Sequence, residues 1–326
     1  MDDNDIPLLS VVMSVFNAEK YLNKAVDSIL NQSFKDFEFI IIEDCSTDNT
    51  LQILEEYAQK DSRIILIRKD KNKGAKGFIE NLNIGLQMAK GKYIARMDAD
   101  DISFPNRFEK QIHLLENDSE LFIVGTSLEM IDENDHFIKK LPAFVDDKSI
   151  KDTMFKNIAL YHPAIMFRNE KNVFYREKMW SCEDYDLFFR LMLQNKKMAN
   201  LPEILLKYRI LDSSISRKDK NFIRWMMVEK ARAFYLENKK YGKDSYDKYD
   251  PGEIHKIVDV NYKNSLEDLI FALKTALKFS KKEEFRLISG KIKRFYPDES
   301  LTKYKIAAKL PTSFFKLLMN LTPESI

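Results

Sequence analysis

The first hundred residues alternate continuously apolar runs with segments of helical periodicity, and this alternation limits the fold more than any single motif. Leu8–Phe16 (LLSVVMSVF), Phe37–Ile42 (FEFIII), Ile64–Ile67 and the run opening at Tyr93 are β-prone, without the polar alternation of a half-exposed strand. Between them Glu19–Gln32, Thr50–Gln59 and Phe78–Lys90 carry apolar residues three and four apart. Uninterrupted apolar strands are covered on both faces. Strands separated by helices form right-handed βαβ crossovers in a parallel sheet. The fold class is therefore read as α/β, a mixed but mainly parallel central sheet flanked by helices. Ser46-Thr47-Asp48 offers N-cap chemistry for the second helix. Gly91 stands where a left-handed residue would stop the third.

Three of these runs stop in polar residues: Phe16-Asn17, Glu43-Asp44, and Asp98-Ala99-Asp100-Asp101. In open α/β sheets the carboxyl ends of the strands form the ligand-binding edge, near the point where strand order reverses. Asp98 and Asp100 alternate and so face one side of an extended chain. Their hard oxygens suit Mg²⁺ or Mn²⁺, ions that usually arrive with a phosphate. Asp-x-Asp alone is also a common solvated loop; three polar clusters on one edge are a stronger indication. A nucleoside-diphosphate ligand would find a pyrimidine N–H acceptor in Asp44, a stacking ring in Phe16, a ribose ligand in Asp98 and an ion ligand in Asp100. An acceptor hydroxyl would need a general base, for which Glu183 and Asp184 at a helix mouth are candidates. Acids there also serve simply as helix-dipole complements.

Pro105 opens a helix to about Glu116, after which the alternation is lost. Leu121–Thr126, Leu128–Ile131, Phe137–Leu141, Ala164–Phe167 and Ile204–Ile210 read as strands in mixed or antiparallel pairing, with one helix at Asp184–Gln194. Ser213–Ser216 reads as a turn. Farther on the pattern is helical, at Phe222–Tyr241, Ser265–Phe279 and Glu283–Phe295. The expected organisation is a domain over 1–216, with a nucleotide-binding part of about 1–104 and an acceptor part of about 105–216, then a basic helical region over 217–326. Charge follows this division. Residues 216–326 hold 24 Lys/Arg against 15 Asp/Glu, while the preceding residues hold 29 against 36. Tyr304–Leu321 mixes Lys with large apolar residues and suits a membrane interface as well as a helix packed on its own domain.

The sequence has no run of 18 apolar residues and no basic, apolar leader at its start, so the expectation is a cytoplasmic protein, with the inner membrane face as an alternative. Two Cys and four His leave little material for zinc or disulfides, and Cys45 and Cys182 read as small apolar fillers. His162, alone in a loop, reads as an exposed bystander. Asn17-Ala18-Glu19 follows the first strand where a dinucleotide-binding protein would have Gly-x-Gly-x-x-Gly, which argues against an oxidoreductase. The basic tail is interspersed with acids and carries no nucleic-acid-binding motif, so nucleic acid is not an expected partner.

Ser10–Asn17 (SVVMSVFN), Leu30–Asp48, Ala95–Arg107 (ARMDADDISFPNR), Cys182–Leu187 (CEDYDL) and Leu206–Ser216 together resemble an inverting family-2 glycosyltransferase of bacterial cell-surface glycan type, with the GT-A fold. The resemblance implies a nucleotide-sugar donor, most often a UDP-sugar, and a divalent Mn or Mg cation. It places Asp44 at the base, Asp98 at the ribose, Asp100 at the metal, and Asp184, with Glu183 second, as the general base. The implied acceptor is a hydroxyl of a glycan or lipid-linked saccharide. One position departs: Leu211 stands where many relatives carry a metal-binding His. That departure motivates an alternative, a nucleotide-sugar-binding module with weakened catalysis.

Overall fold

The computed structural model describes residues 6–211 and 222–309. The Ser213–Ser216 turn and most of the Tyr304–Leu321 segment lie outside them. The chain divides into two compact units, one of Met1–Glu177 with Glu183–Ser214, the other of Lys178–Cys182 with Ile215–Ile326.

The first unit is built on one mixed sheet. Its parallel half contains β1 (Leu9–Val15), β2 (Phe37–Glu43), β3 (Ile64–Arg68) and β4 (Tyr93–Asp98), in the spatial order β3-β2-β1-β4. The crossovers are α1 (Leu22–Leu30), α2 (Thr50–Lys60) and α3 (Ala75–Met88). β2 is buried at every position and β1 at all but one, as uninterrupted apolar runs require. The α3 helix lies very close on the sheet: a Cβ on Gly85 would sit 2.3 Å from Val12 Cγ1. β1 pairs with both β2 and β4, so the strand order reverses at its carboxyl end.

Beyond β4 the pairing changes character. β5 (Ile102–Ser103) is followed by α4 (Arg107–Asn117), β6 (Leu121–Ile131), β7 (Phe137–Leu141), α5 (Asp147–Met154), β8 (Met166–Arg168), α6 (Glu183–Leu193) and β9 (Lys197–Arg209). β8 lies antiparallel between β4 and β6, β6 runs parallel to β9, and β7 folds back on β6. A buried side chain ties this half to the first. Arg107 makes the tie, donating to the carbonyl of Arg96 in β4 (2.8 Å) as well as to that of Pro163 (3.2 Å), while Gln111 bonds within the second half to the carbonyls of Val124 and Ala164.

Several boundaries differ from expectation for local reasons. The residues at 121–131 form one strand, because Ser127 stays in the ladder despite its polarity. β9 begins seven residues earlier than its apolar core: the register passes from Leu201 to Ile204, so Pro202 and Glu203 bulge out of the pairing. α5 is only eight residues long and buries just Ile150 and Met154, one helical turn apart, too short a run to read as a period; Asp146 caps it by accepting from Ser149 N at 2.9 Å. Gly91 does not close α3, which ends on an extended Ala89. A Cβ on Gly91 would lie 2.6 Å from Ser10 N, so close approach accounts for glycine there. At α2, Asp48 Oδ1 accepts from Thr50 N, although the boundary residue is Asn49.

The second unit is helical: Phe222–Tyr241, Pro251–His255, Leu266–Lys278, Lys282–Phe295 and Thr302–Ala307. Ser265 Oγ caps the third of these, and Asp250 caps the second, which has Pro251 at its first position. Leu269, Leu273, Ile288 and Ile292 are fully buried, as the periodicity predicts. No helix among the described residues is long and apolar enough to cross a membrane.

Candidate active site

The parallel half of the sheet brings Phe16, Asn17, Asp44, Asp98 and Asp100 to its carboxyl edge. Asp44 and Asp98 lie on or just past the two strands flanking β1, about 10 Å apart by two strand spacings. Asp44 N–H bonds to Val15 O at 2.9 Å, which continues the ladder one residue beyond β2. Phe16 is 47% exposed, an aromatic ring left on the rim. Asn17 adopts a left-handed φ of 47° and links two turns: its Oδ1 accepts from Thr47 N (2.8 Å) while its N–H donates to Ser46 Oγ (3.0 Å).

Asp44 is not open to solvent. It is 3% exposed, with Lys69 Nζ at 3.3 Å from Oδ1 and Asn72 Nδ2 at 3.0 Å from Oδ2. A Cβ on Gly77 would approach Oδ2 to 3.2 Å. Burial pushes the Asp44 carboxyl above the usual range, opposed by the nearby Lys69 charge.

At the end of β4, Asp98, Asp100 and Asp101 offer carboxylate oxygens all within 4.8 Å of one another. Asp98 pairs with the buried Arg96, Nη2 to Oδ1 at 2.6 Å. Burial first, and the neighbouring Asp98 charge second, push Asp100 up to about 7. Asp101 is fully buried and raised well above the normal range by burial and by both neighbours. Its Oδ1 accepts from Arg209 N (2.8 Å), while its Oδ2 is buried without a hydrogen-bond partner. Three hard oxygen donors, crowded, mutually repelling and partly unsatisfied, fit a divalent cation in ligand type and spacing.

The turn carrying these acids is held by Arg209, whose side chain is fully buried. Nε donates to Asp100 O (2.8 Å), Nη1 to Asp132 O (2.9 Å), the guanidinium pairs with Asp135, and its plane lies 4.3 Å over the Tyr21 ring. Only the following Ile210 separates this arginine from the partly buried Leu211. Sequence reasoning passed over Arg209, although Tyr208-Arg209 falls within one of its matching segments.

Glu183 and Asp184 occupy the first turn of α6, and the buried Arg96 of β4 comes within electrostatic reach of Glu183. Arg96 lies within electrostatic reach of Asp98, Tyr175 and Glu183 together, and Tyr175 within reach of both acids. His162 differs from the expected exposed bystander. It is buried, its Nε2 is 2.8 Å from the Tyr175 hydroxyl, and its Nδ1 is 3.8 Å from Glu183 Oε1. Burial and the Arg96 charge hold its imidazole well below the usual pKa. A single histidine gives no periodic signal, so its placement emerges only when the His162–Ala164 turn packs against α6. Asp186, on the same helix, is buried between Arg176 and Arg190 and anchors it.

Comparison with known proteins agrees with this architecture. Residues 10–181 match Glycosyl transferase family 2. The chain is 40% identical over 220 residues to an uncharacterized glycosyltransferase of Methanocaldococcus jannaschii, covering 65% of this chain and 75% of that protein. It is 37% identical over 222 residues to the O-antigen biosynthesis glycosyltransferase WbnJ of Escherichia coli, covering 65% and 83%. The structure of S. aureus TarS 1-349 in complex with UDP-GlcNAc superposes with a TM-score of 0.61 at 16% identity, covering 96% of this chain and 90% of that one, and is a match of fold.

Proposed function

The chain belongs to glycosyl transferase family 2 and is a glycosyltransferase with a GT-A-like fold acting on a nucleotide sugar; from that premise we propose an inverting, metal-assisted transfer from a UDP-sugar to a hydroxyl of a surface glycan or lipid-linked saccharide. The observation that carries the reading is the juxtaposition at Arg96. This one buried cation pairs with Asp98 on the donor edge and reaches Glu183 at the mouth of α6. This shared cation supports assigning the donor carboxylates and a candidate base to one site.

In this reading Phe16 stacks on the base, Asp44 accepts its N–H, Asn17 shapes the adjoining turn, and Asp98 binds the ribose. Asp100, supported by Asp98 and Asp101, holds Mn²⁺ or Mg²⁺, which when bound supplies positive charge to the departing diphosphate. Asp184 takes the acceptor's proton as its oxygen attacks the anomeric carbon from the face opposite the diphosphate, giving inversion in one displacement. Glu183, beside His162 and Arg96, is the second acid of the pair. TarS, alike in fold, forms a complex with UDP-GlcNAc, and WbnJ, alike in sequence, is named for O-antigen biosynthesis; the two support the donor and acceptor classes respectively.

The test is turnover on a panel of UDP-sugars with and without Mn²⁺, comparing the native protein with Asp100→Ala and Asp184→Asn. Native rates in both variants would sink the assignment. Leu211 favours a second reading, a binding module with weakened catalysis, which predicts UDP affinity without turnover on any donor. The basic C-terminal region is proposed to contact anionic membrane. Equal sedimentation with anionic vesicles of the chain with and without residues 297–326 would count against that contact.

A further inference from the structure

The carboxylate assigned to the nucleobase is already engaged by the protein itself. Asn72 donates from one amide nitrogen both to Asp44 Oδ2 (3.0 Å) and to the Asp44 carbonyl (3.1 Å). The other end of the same amide is pinned, because Asn72 Oδ1 accepts from Gly74 N at 2.7 Å. Lys69 covers the second carboxylate oxygen and is itself held by Glu80 at 3.2 Å. With Asp44 only 3% exposed, no base can reach it while this cover is in place.

We propose that Asn72 is a built-in competitor for the nucleobase, a side-chain amide that occupies the recognition face of Asp44 and must be exchanged for the N–H of an entering base. The inference rests on the donor reading above and adds to it a residue that sets donor affinity. Its chemistry is that of a like-for-like exchange. An amide N–H and a pyrimidine N–H are both neutral donors to a carboxylate, so Asp44 Oδ2 keeps a bond when one replaces the other, while Oδ1, which accepts no hydrogen bond, stays at ion-pair distance from Lys69. Gly74, two residues beyond Asn72 at a φ of +62°, has nothing within 4 Å of where its Cβ would lie, which leaves the segment carrying Asn72 room to move. Lys69, 3.3 Å from Oδ1, remains beside Asp44 as its counter-charge. A base presenting a carbonyl beside its N–H satisfies it, and a base presenting a ring nitrogen lone pair to Asp44 is repelled.

The experiment is calorimetric titration of UDP into the full-length native protein, Asn72→Ala and Asp44→Ala, with stopped-flow association for the first two. Melting without nucleotide checks that each variant is folded, and Asn72→Ser replaces Asn72→Ala should the latter not fold. The expected result is UDP affinity raised about tenfold in Asn72→Ala, the worth of roughly one hydrogen bond no longer to be broken, with faster association. Asp44→Ala should bind UDP more weakly than the native protein. Unchanged or weaker binding by Asn72→Ala, with Asp44→Ala weakened, overturns the competitor role and leaves the donor reading standing. Native UDP affinity in Asp44→Ala overturns both the base contact and the competitor built on it.

Discussion

Arg209 Nε donates to the main-chain carbonyl of Asp100 at 2.8 Å, while the Arg209 N–H is bound by Asp101 Oδ1 at the same distance. The end of β9 is thereby clamped to the turn after β4 through two adjacent acids. A lysine at 209 would keep the charge but could not span the carbonyls of Asp100 and Asp132 from one planar group. Arg209→Lys is expected to lower stability by about 1–3 kcal/mol, since buried acceptors lose their donors. It should also weaken Mn²⁺ binding as judged by Mn²⁺-dependent melting. Loss of stability with native Mn²⁺ response would limit Arg209 to a structural role.

Removing the central carboxylate should remove the ion's effect. In Asp100→Ala, turnover is expected to fall on the order of 100-fold or more. Mn²⁺ should raise the melting temperature of the native protein and leave that of Asp100→Ala unchanged, because only binding to the folded state raises apparent stability. A retained Mn²⁺ shift would move the ion to other residues.

The acid pair should separate by role. Asp184→Asn is expected to reduce kcat by about 10²–10⁴ with little change in donor KM, the signature of a lost general base. His162→Ala, acting through Glu183, should cost roughly 10- to 100-fold in kcat through misplacement. His162→Asn, which keeps a donor of similar reach, should recover part of that loss. Equal kcat in His162→Ala and the native protein, per folded molecule, would leave His162 a packing residue.

The pH dependence follows from Asp100, held up to about 7 by burial and by Asp98. A carboxyl raised in the folded state binds its proton more tightly there than in the unfolded chain. The contribution of Asp100 to metal-free stability should therefore be fully present below the unfolded pKa, near 4, and be lost as pH rises through about 7, read as the difference between the native protein and Asp100→Asn. Mn²⁺ competes with that proton, so its affinity should increase over the same interval. Urea unfolding at pH 5 and pH 7, with EDTA and with Mn²⁺, checks both signs. Asp100→Asn should flatten the metal-free trend.

Packing gives an independent check of the frame. A methyl at Gly85 would sit 2.3 Å from Val12 Cγ1. Gly85→Ala should cost about 1–3 kcal/mol by overpacking, seen as a lower urea midpoint at unchanged slope.

The sequence alone determined the parallel half of the sheet and its acidic edge. Leu9–Val15 and Phe37–Glu43 are apolar without interruption, and covering both faces of such strands leaves few arrangements. Period and strand ends are local properties, so Asp44, Asp98 and Asp100 could be assigned to one edge from residue order. Tertiary structure decided what no local pattern encodes. Pro202 is bulged out of β9, Asp44 lies covered by Asn72 and Lys69, Arg209 clamps the acidic turn, and His162 is buried between Tyr175 and Glu183. Each depends on contacts between residues far apart in the chain, where a single polar side chain is satisfied by a distant partner and leaves no periodic trace in its own neighbourhood.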